Sequence, residues 1–308
     1  MPTDPSSLWP GLQWFSLHLL PVMERITKAM LPAAYEPFPF MHKAVLACIL
    51  IAPMCAAMGV KVVNFRMAFF SDAISHSAFA GIAFGFVLHQ VVTSFYFDPR
   101  IAMVLLGVIV GLSIAWVRRR TDLSNDTVIG VFFSTVVAIG IAIITATSRF
   151  EQQFSRYLYG DILTLDAVDL YLAALLAIVV FVFMLISFNS LMLLGMNDEL
   201  AHSRGIRVQW YEYLFSMLLA LVIMVLIRIA GILLVTAMLV VPAATARNLA
   251  RSVGGMFWWA MLIALLSSVV GTMISFSDRF GNVGTGAVIV LAAAVMFAMS
   301  LLAKARTR

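Results

Sequence analysis

Residues 66–92 read RMAFFSDAISHSAFAGIAFGFVLHQVV, long enough at ~1.5 Å per helical residue to cross a ~30 Å hydrocarbon core. Asp72 and His76 stand in the first half of this stretch. An ionisable side chain at membrane depth costs at least ~2.5–3.5 kcal/mol on insertion scales, so it faces a protein or water-filled interior and marks function by default. The four-residue spacing puts both side chains on one helix face. There an ionised carboxylate and a neutral imidazole offer one oxygen and one nitrogen to a divalent ion, half of a four-ligand set. The same spacing also suits a hydrogen bond between the two that only fixes packing, and spacing alone leaves both readings open. Ser71, Ser75, Ser77, Ala78, Ala80, Gly81, Ala83 and Gly85 surround the pair; such small residues let neighbouring helices approach closely. The stretch therefore reads as a central helix.

The rest of the chain is of the same kind. Of its 308 residues 63% are hydrophobic and 11% charged, with a mean hydropathy of +1.02, far from the composition of soluble domains. The expected fold is all-α, a polytopic membrane protein of eight or nine transmembrane helices. The spans fall at 42–62, 67–92, 100–117, 127–147, 167–190, 209–227, 229–246, 256–276 and 284–303, and the count turns on the very short link at Arg228. The net charge of +5 and pI near 9.5 are assigned to membrane topology and not to nucleic acid, because basic residues gather in cytoplasmic loops. Twelve of the twenty Lys and Arg lie on one side of these spans, the side of Arg66, Arg118–Arg120 and Arg247. That side is expected to be cytoplasmic, with the N-terminus outside and the C-terminus inside. Cys48 and Cys55 share one apolar run and read as small buried thiols too far apart to bridge.

Residues 1–40 form a segment apart from the 41–308 transmembrane domain. Prolines interrupt it, yet Leu12, Phe15, Leu19, Met23, Ile26 and Met30 recur near helical spacing, the pattern of an amphipathic interfacial helix in contact with lipid, kinked at Pro21. It lacks the basic start and small-residue cleavage site of a signal peptide. Between the fifth and sixth spans, Asn197 can cap a short helix through Asp198, Glu199, Leu200, Ala201 and His202, with Gly205 as its stop. A short polar helix on the cytoplasmic side is a docking element for a soluble partner, or else a solvated loop. In the seventh span Pro242, followed by Ala243 and Ala244, frees a carbonyl one turn earlier and predicts a kinked, closely packed helix.

Five stretches in order, FRMAFFSDAISHSAFAGIAFG, DTVIGVFFS, YLYGDIL, NDELAHSRGI and GILLVTAMLVVPAATAR, together resemble the permease subunits of zinc, manganese and iron ABC importers, the ZnuB-like family, over about residues 42–304. The resemblance implies a permease of the bacterial cytoplasmic (inner) membrane that works as a dimer with a second permease copy. It implies a divalent metal ion delivered by an extracytoplasmic metal-binding protein, with no cofactor bound permanently. It also implies that Asp72 and His76 lie on the metal pathway and that the loop from Asn197 to Gly205 docks on an ABC ATPase. The sequence fits this division, since it carries no G-x-x-x-x-G-K-[ST] loop; the nearest run, GNVGTGAV, lacks the lysine a phosphate cradle needs. The chain is thus expected not to be an enzyme. It departs from the family before the last span, where a frequent D-x-P-x-G is replaced by Asn282, Val283, Gly284, Thr285 and Gly286, and no His follows His202.

Two readings compete. A proton- or ion-coupled secondary metal transporter would use Asp72 and His76 as a relay, but no internal repeat accompanies them. An intramembrane metalloenzyme would need H-E-x-x-H or a third ligand, and His18, His42, His76, His89 and His202 do not supply that spacing.

Overall fold

A computed structural model describes residues 10–30, 39–91, 98–147, 165–196, 198–277 and 283–306. The described residues that form regular elements are all helical: α1 (Pro10–Trp14), a π-helical turn (Phe15–Leu19), α2 (Leu20–Met30), α3 (Pro39–Asn64), α4 (Phe70–Val91), α5 (Pro99–Arg120) and α6 (Asn125–Thr147). After these come α7 (Ala167–Met196), α8 (Asp198–Ser203), α9 (Val208–Leu249), α10 (Val253–Ser275) and α11 (Thr285–Arg306). Eight of them are long and apolar enough to cross a membrane.

One of the eight is not a single crossing. At 42 residues α9 would be ~63 Å long, twice a hydrocarbon core. Its backbone leaves helical geometry at Gly231, with φ 78° and ψ 163°, a region that glycine enters without steric cost. The neighbours show what this break does. Residue by residue, Glu212 bonds Arg119, Met224 packs on Gly107 and Arg228 meets Asp169 at the far end, 3.0 Å away. The second half then returns: Ala230 and Leu234 face Gly286 at the start of α11, and Asn248 bonds Ser300 (3.1 Å) and Lys304 (3.2 Å) near its end. Residues 208–230 and 232–249 are therefore two antiparallel spans folded at Gly231, which makes nine crossings among the described residues. The sequence placed this link at Arg228, three residues early, because the only charged residue between Glu212 and Arg247 marks it while the turn itself is a property of glycine backbone.

One end of the bundle collects Arg118, Arg119, Arg120, α8 and the start of α10; we call it the arginine face. At the opposite face Asp98 caps α5 by accepting from the Arg100 amide at 2.9 Å, and Ser275 bonds Thr285 at 3.0 Å between α10 and α11. Helices α3 and α9 form the centre. A Cβ at Gly59 would collide with the Leu239 carbonyl, so α3 and the second half of α9 touch backbone to backbone. Pro242 lies one turn further on, buried beside Ala243 and Ala246, in the closely packed setting expected of it. The non-helical dihedrals of α9 fall at Gly231 and not at Pro242.

Helix α4 crosses α5 along a G-x-x-x-G pair: a Cβ would come within 2.7 Å of Met103 Cα at Gly81 and of Pro99 Cα at Gly85. Small residues at this spacing bring two backbones together in lipid. In the N-terminal segment the π-helical turn immediately precedes Pro21, with the Leu20 amide donating to the Phe15 carbonyl. Its Phe15 is buried edge-on against Tyr171 of α7, centroids 5.5 Å apart, while Trp14, Leu17 and Val22 are exposed, consistent with an amphipathic helix.

Candidate metal pathway and coupling helix

Asp72 sits in the first turn of α4, where the unpaired amides of a helix N-terminus favour a carboxylate. One turn on, His76 stands close enough to interact with it electrostatically. Both are half-buried, while Ala73, Ile74 and Ser75 between them have no exposure. Ile74 and Gly81 turn towards α5, because a Cβ at Gly111 would lie 3.4 Å from Ile74 Cδ1. His76 turns the other way and meets Phe133 of α6 edge-on, centroids 5.1 Å apart at 88°, with Phe79 at 5.7 Å. The imidazole thus packs against two phenyl rings on this side. Among the described residues no third His, Cys, Asp or Glu joins the pair. Among the described residues the pair thus offers one oxygen and one nitrogen side-chain group.

The turn that launches α4 is pinned by side chains the sequence did not single out. Arg66 has φ 54°, a conformation uncommon for a non-glycine residue. The Met67 amide donates to Val62 (3.0 Å), Asn125 Nδ2 donates to the Phe65 carbonyl (3.0 Å), and Arg118 Nε donates to Asn125 Oδ1 (2.7 Å). Phe65, Arg66 and Met67 open the FRMAFFSDAISHSAFAGIAFG run and Asn125 adjoins DTVIGVFFS, so the sequence marked both sides of this cluster but not the bonds between them.

Asp198, Glu199, Leu200 and Ala201 fall in α8, and Asn197 lies outside the described residues. The helix ends as its sequence predicts. Gly205 takes φ 73°, its amide donates to the His202 carbonyl (2.9 Å) and the Ile206 amide to Ala201 (3.1 Å), the paired bonds of a glycine-terminated helix. Ala201 is buried while Leu200 remains 54% exposed, and Glu199 is exposed beside it. A helix that turns an apolar and an acidic side chain outward from the arginine face offers a contact surface.

Among the described residues, a nine-crossing bundle with a carboxylate–imidazole pair on one spanning helix defines the class: a polytopic membrane protein of the transporter kind. The chain belongs to the ABC 3 transport family, whose model matches residues 37–304. It is 30% identical over 87% of its length to the high-affinity zinc uptake system membrane protein ZnuB of Haemophilus influenzae, covering 99% of that protein. It is 31% identical to the manganese import system permease protein ScaB of Streptococcus gordonii, over 85% of this chain and 91% of that one. Among solved structures it resembles PsaBC from Streptococcus pneumoniae in complex with Fab, with a TM-score of 0.72 and 28% identity over 86% of this chain and 92% of the other. The protein is therefore a multi-pass permease subunit of an ABC importer in the bacterial inner membrane, and ATP hydrolysis belongs to a separate ATPase. The secondary-transporter reading finds no support in these relatives.

Proposed function

We propose that this permease imports zinc or manganese(II), received from an extracytoplasmic metal-binding protein, and that Asp72 and His76 bind the ion in passing. The observation that carries the reading is the pair itself: a half-buried carboxylate and imidazole one turn apart on a spanning helix, in a chain related to both zinc and manganese permeases. A pathway site must draw the ion partly out of water and still release it. Two protein ligands, completed by water or by a second permease copy, suit that better than a closed four-ligand cage. The carboxylate supplies the negative charge that offsets a divalent cation and the imidazole a nitrogen donor that both metals accept.

In this reading the arginine face is cytoplasmic and α8 seats in the ATPase, with Asn197, Asp198, Glu199, Leu200, Ala201 and Gly205 forming the coupling segment. Asp72→Asn keeps size and hydrogen bonding and removes the charge; His76→Ala removes the nitrogen. Each is expected to abolish uptake of radioactive zinc and manganese in proteoliposomes holding the assembled importer, with normal expression and assembly. Near-normal transport by Asp72→Asn, together with a lowered melting temperature for His76→Ala, would reduce the pair to a packing contact.

A further inference from the structure

Between the metal pair and the outward helix lies one aromatic side chain that touches both neighbourhoods. Phe65 opens the 65–69 turn, seven residues before Asp72. Its carbonyl is held by Asn125, which Arg118 holds in turn, and Arg118 also reaches Met67 Sδ at 2.9 Å. Its ring projects in the other direction. It stands edge-on to Phe215 in the first half of α9, centroids 5.4 Å apart at 88°, and lies across the last turn of α7 at Gly195. A Cβ at Gly195 would sit 3.1 Å from Phe65 Cε1 and 3.3 Å from Cδ1, so the ring uses the space that the missing side chain leaves. Gly195 precedes α8 by three residues.

We infer that Phe65 is a positioning residue that carries movement of the α7–α8 junction to the start of α4, where Asp72 lies. This rests on the reading of α8 as the ATPase contact and of α4 as the metal helix. The physical basis is that packed interiors transmit displacement instead of absorbing it. If α7 shifts at Gly195 the ring, confined between Gly195 and Phe215, is pushed with it, and the push falls on the 65–69 turn whose position the Asn125 and Arg118 bonds set. The first turn of α4 hangs on that turn through the Phe70 amide, which donates to the Met67 carbonyl at 3.0 Å. A transmission element is one whose position both ends bias, and here one end is the ring against Gly195 and the other the turn beneath Asp72.

The test uses the full importer in proteoliposomes with metal-loaded binding protein, reading basal ATP hydrolysis, stimulated hydrolysis and metal uptake. Gly195→Ala drives a methyl into the ring; Phe65→Leu removes the ring edge; the double variant removes the clash. Each single change is expected to lower uptake per ATP hydrolysed about fivefold or more, the lower end of ordinary coupling energies, with basal hydrolysis and ATPase association kept. The double variant should recover most of that loss. Asn125→Ala, which frees the Phe65 carbonyl without touching the ring, should also uncouple and serves if Phe65→Leu does not assemble. Normal coupling in Gly195→Ala and Asn125→Ala, or a double variant no better than the worse single one, overturns the inference. Failure of the underlying reading looks different: Glu199→Lys would then leave ATPase association and stimulated hydrolysis intact.

Discussion

Arg228 and Asp169 show what a single ion pair does near the membrane surface. Asp169 is almost fully covered and Arg228 three-quarters covered, with Nη2 and Oδ1 3.0 Å apart, and they tie the first turn of α7 to the end of the first half of α9. Removing one partner of a buried pair leaves the other desolvated and costs ~3–5 kcal/mol, whereas removing both is much milder. Allowing for the partial exposure of Arg228, Arg228→Gln is expected to lower the melting temperature of the detergent-solubilised protein clearly, and Arg228→Gln with Asp169→Asn to recover part of it. A strictly additive double variant would mean that the pair is not coupled. Lys61 is a second buried cation. It has no exposure, donates to the Phe188 carbonyl at 3.3 Å and stands 4.4 Å over that residue's ring centroid. Neither the burial of this charge nor its aromatic partner was legible in the sequence, since their contact depends on the register between α3 and α7, which hydropathy does not specify.

At the scale of elements, close helix crossings rest on glycines that hydropathy treats as neutral. Gly59→Ala puts a methyl against the Leu239 carbonyl, and overpacking of this kind costs at least ~1–3 kcal/mol. Reduced thermal stability of the solubilised variant checks it, and Gly130→Ala, with nothing within 4 Å of the added atom, is the control. Helix boundaries were read well from the apolar runs because each run ends where charged residues begin, as at Lys61–Arg66 and Arg118–Arg120. The same rule misplaced the fold in α9, where Arg228 is the one charged residue between Glu212 and Arg247 and the chain turns at a glycine instead. The end of α8 was legible for the converse reason, because Gly205 followed a short polar helix with nothing else to stop it. In the candidate site Asp72 and His76 were visible as an i, i+4 pair on one helix. Phe133, Asn125 and Phe65 come from other elements, and only the packing brings them there.

For the whole molecule the fold at Gly231 decides sidedness. With nine crossings Thr121 and Ser252, which follow α5 and the second half of α9, lie on the same side, opposite Asp98. If α9 crossed once, Ser252 would lie across the membrane from Thr121. Thr121→Cys and Ser252→Cys in a chain with Cys48 and Cys55 replaced by Ala are expected to react with an impermeant maleimide only in inside-out vesicles, and Asp98→Cys only in right-side-out ones. Labelling of Ser252→Cys from the outer side would return the count to eight.

The turn at Gly231 also bears on how the protein is made. An inserting chain is ordinarily held between successive spans by a polar loop that stays in water, but residues 208–249 contain no such loop. Gly231 is buried, and Arg228, the cation nearest the turn, is paired with Asp169. A lone first half would bring Arg228 to the surface without its counter-charge, so the two halves are expected to leave the translocation machinery together as a helical hairpin. Helix α7 has by then been synthesised, with Asp169 near the surface that Arg228 reaches. The order of the chain thus places the counter-charge in the membrane ahead of the cation it receives.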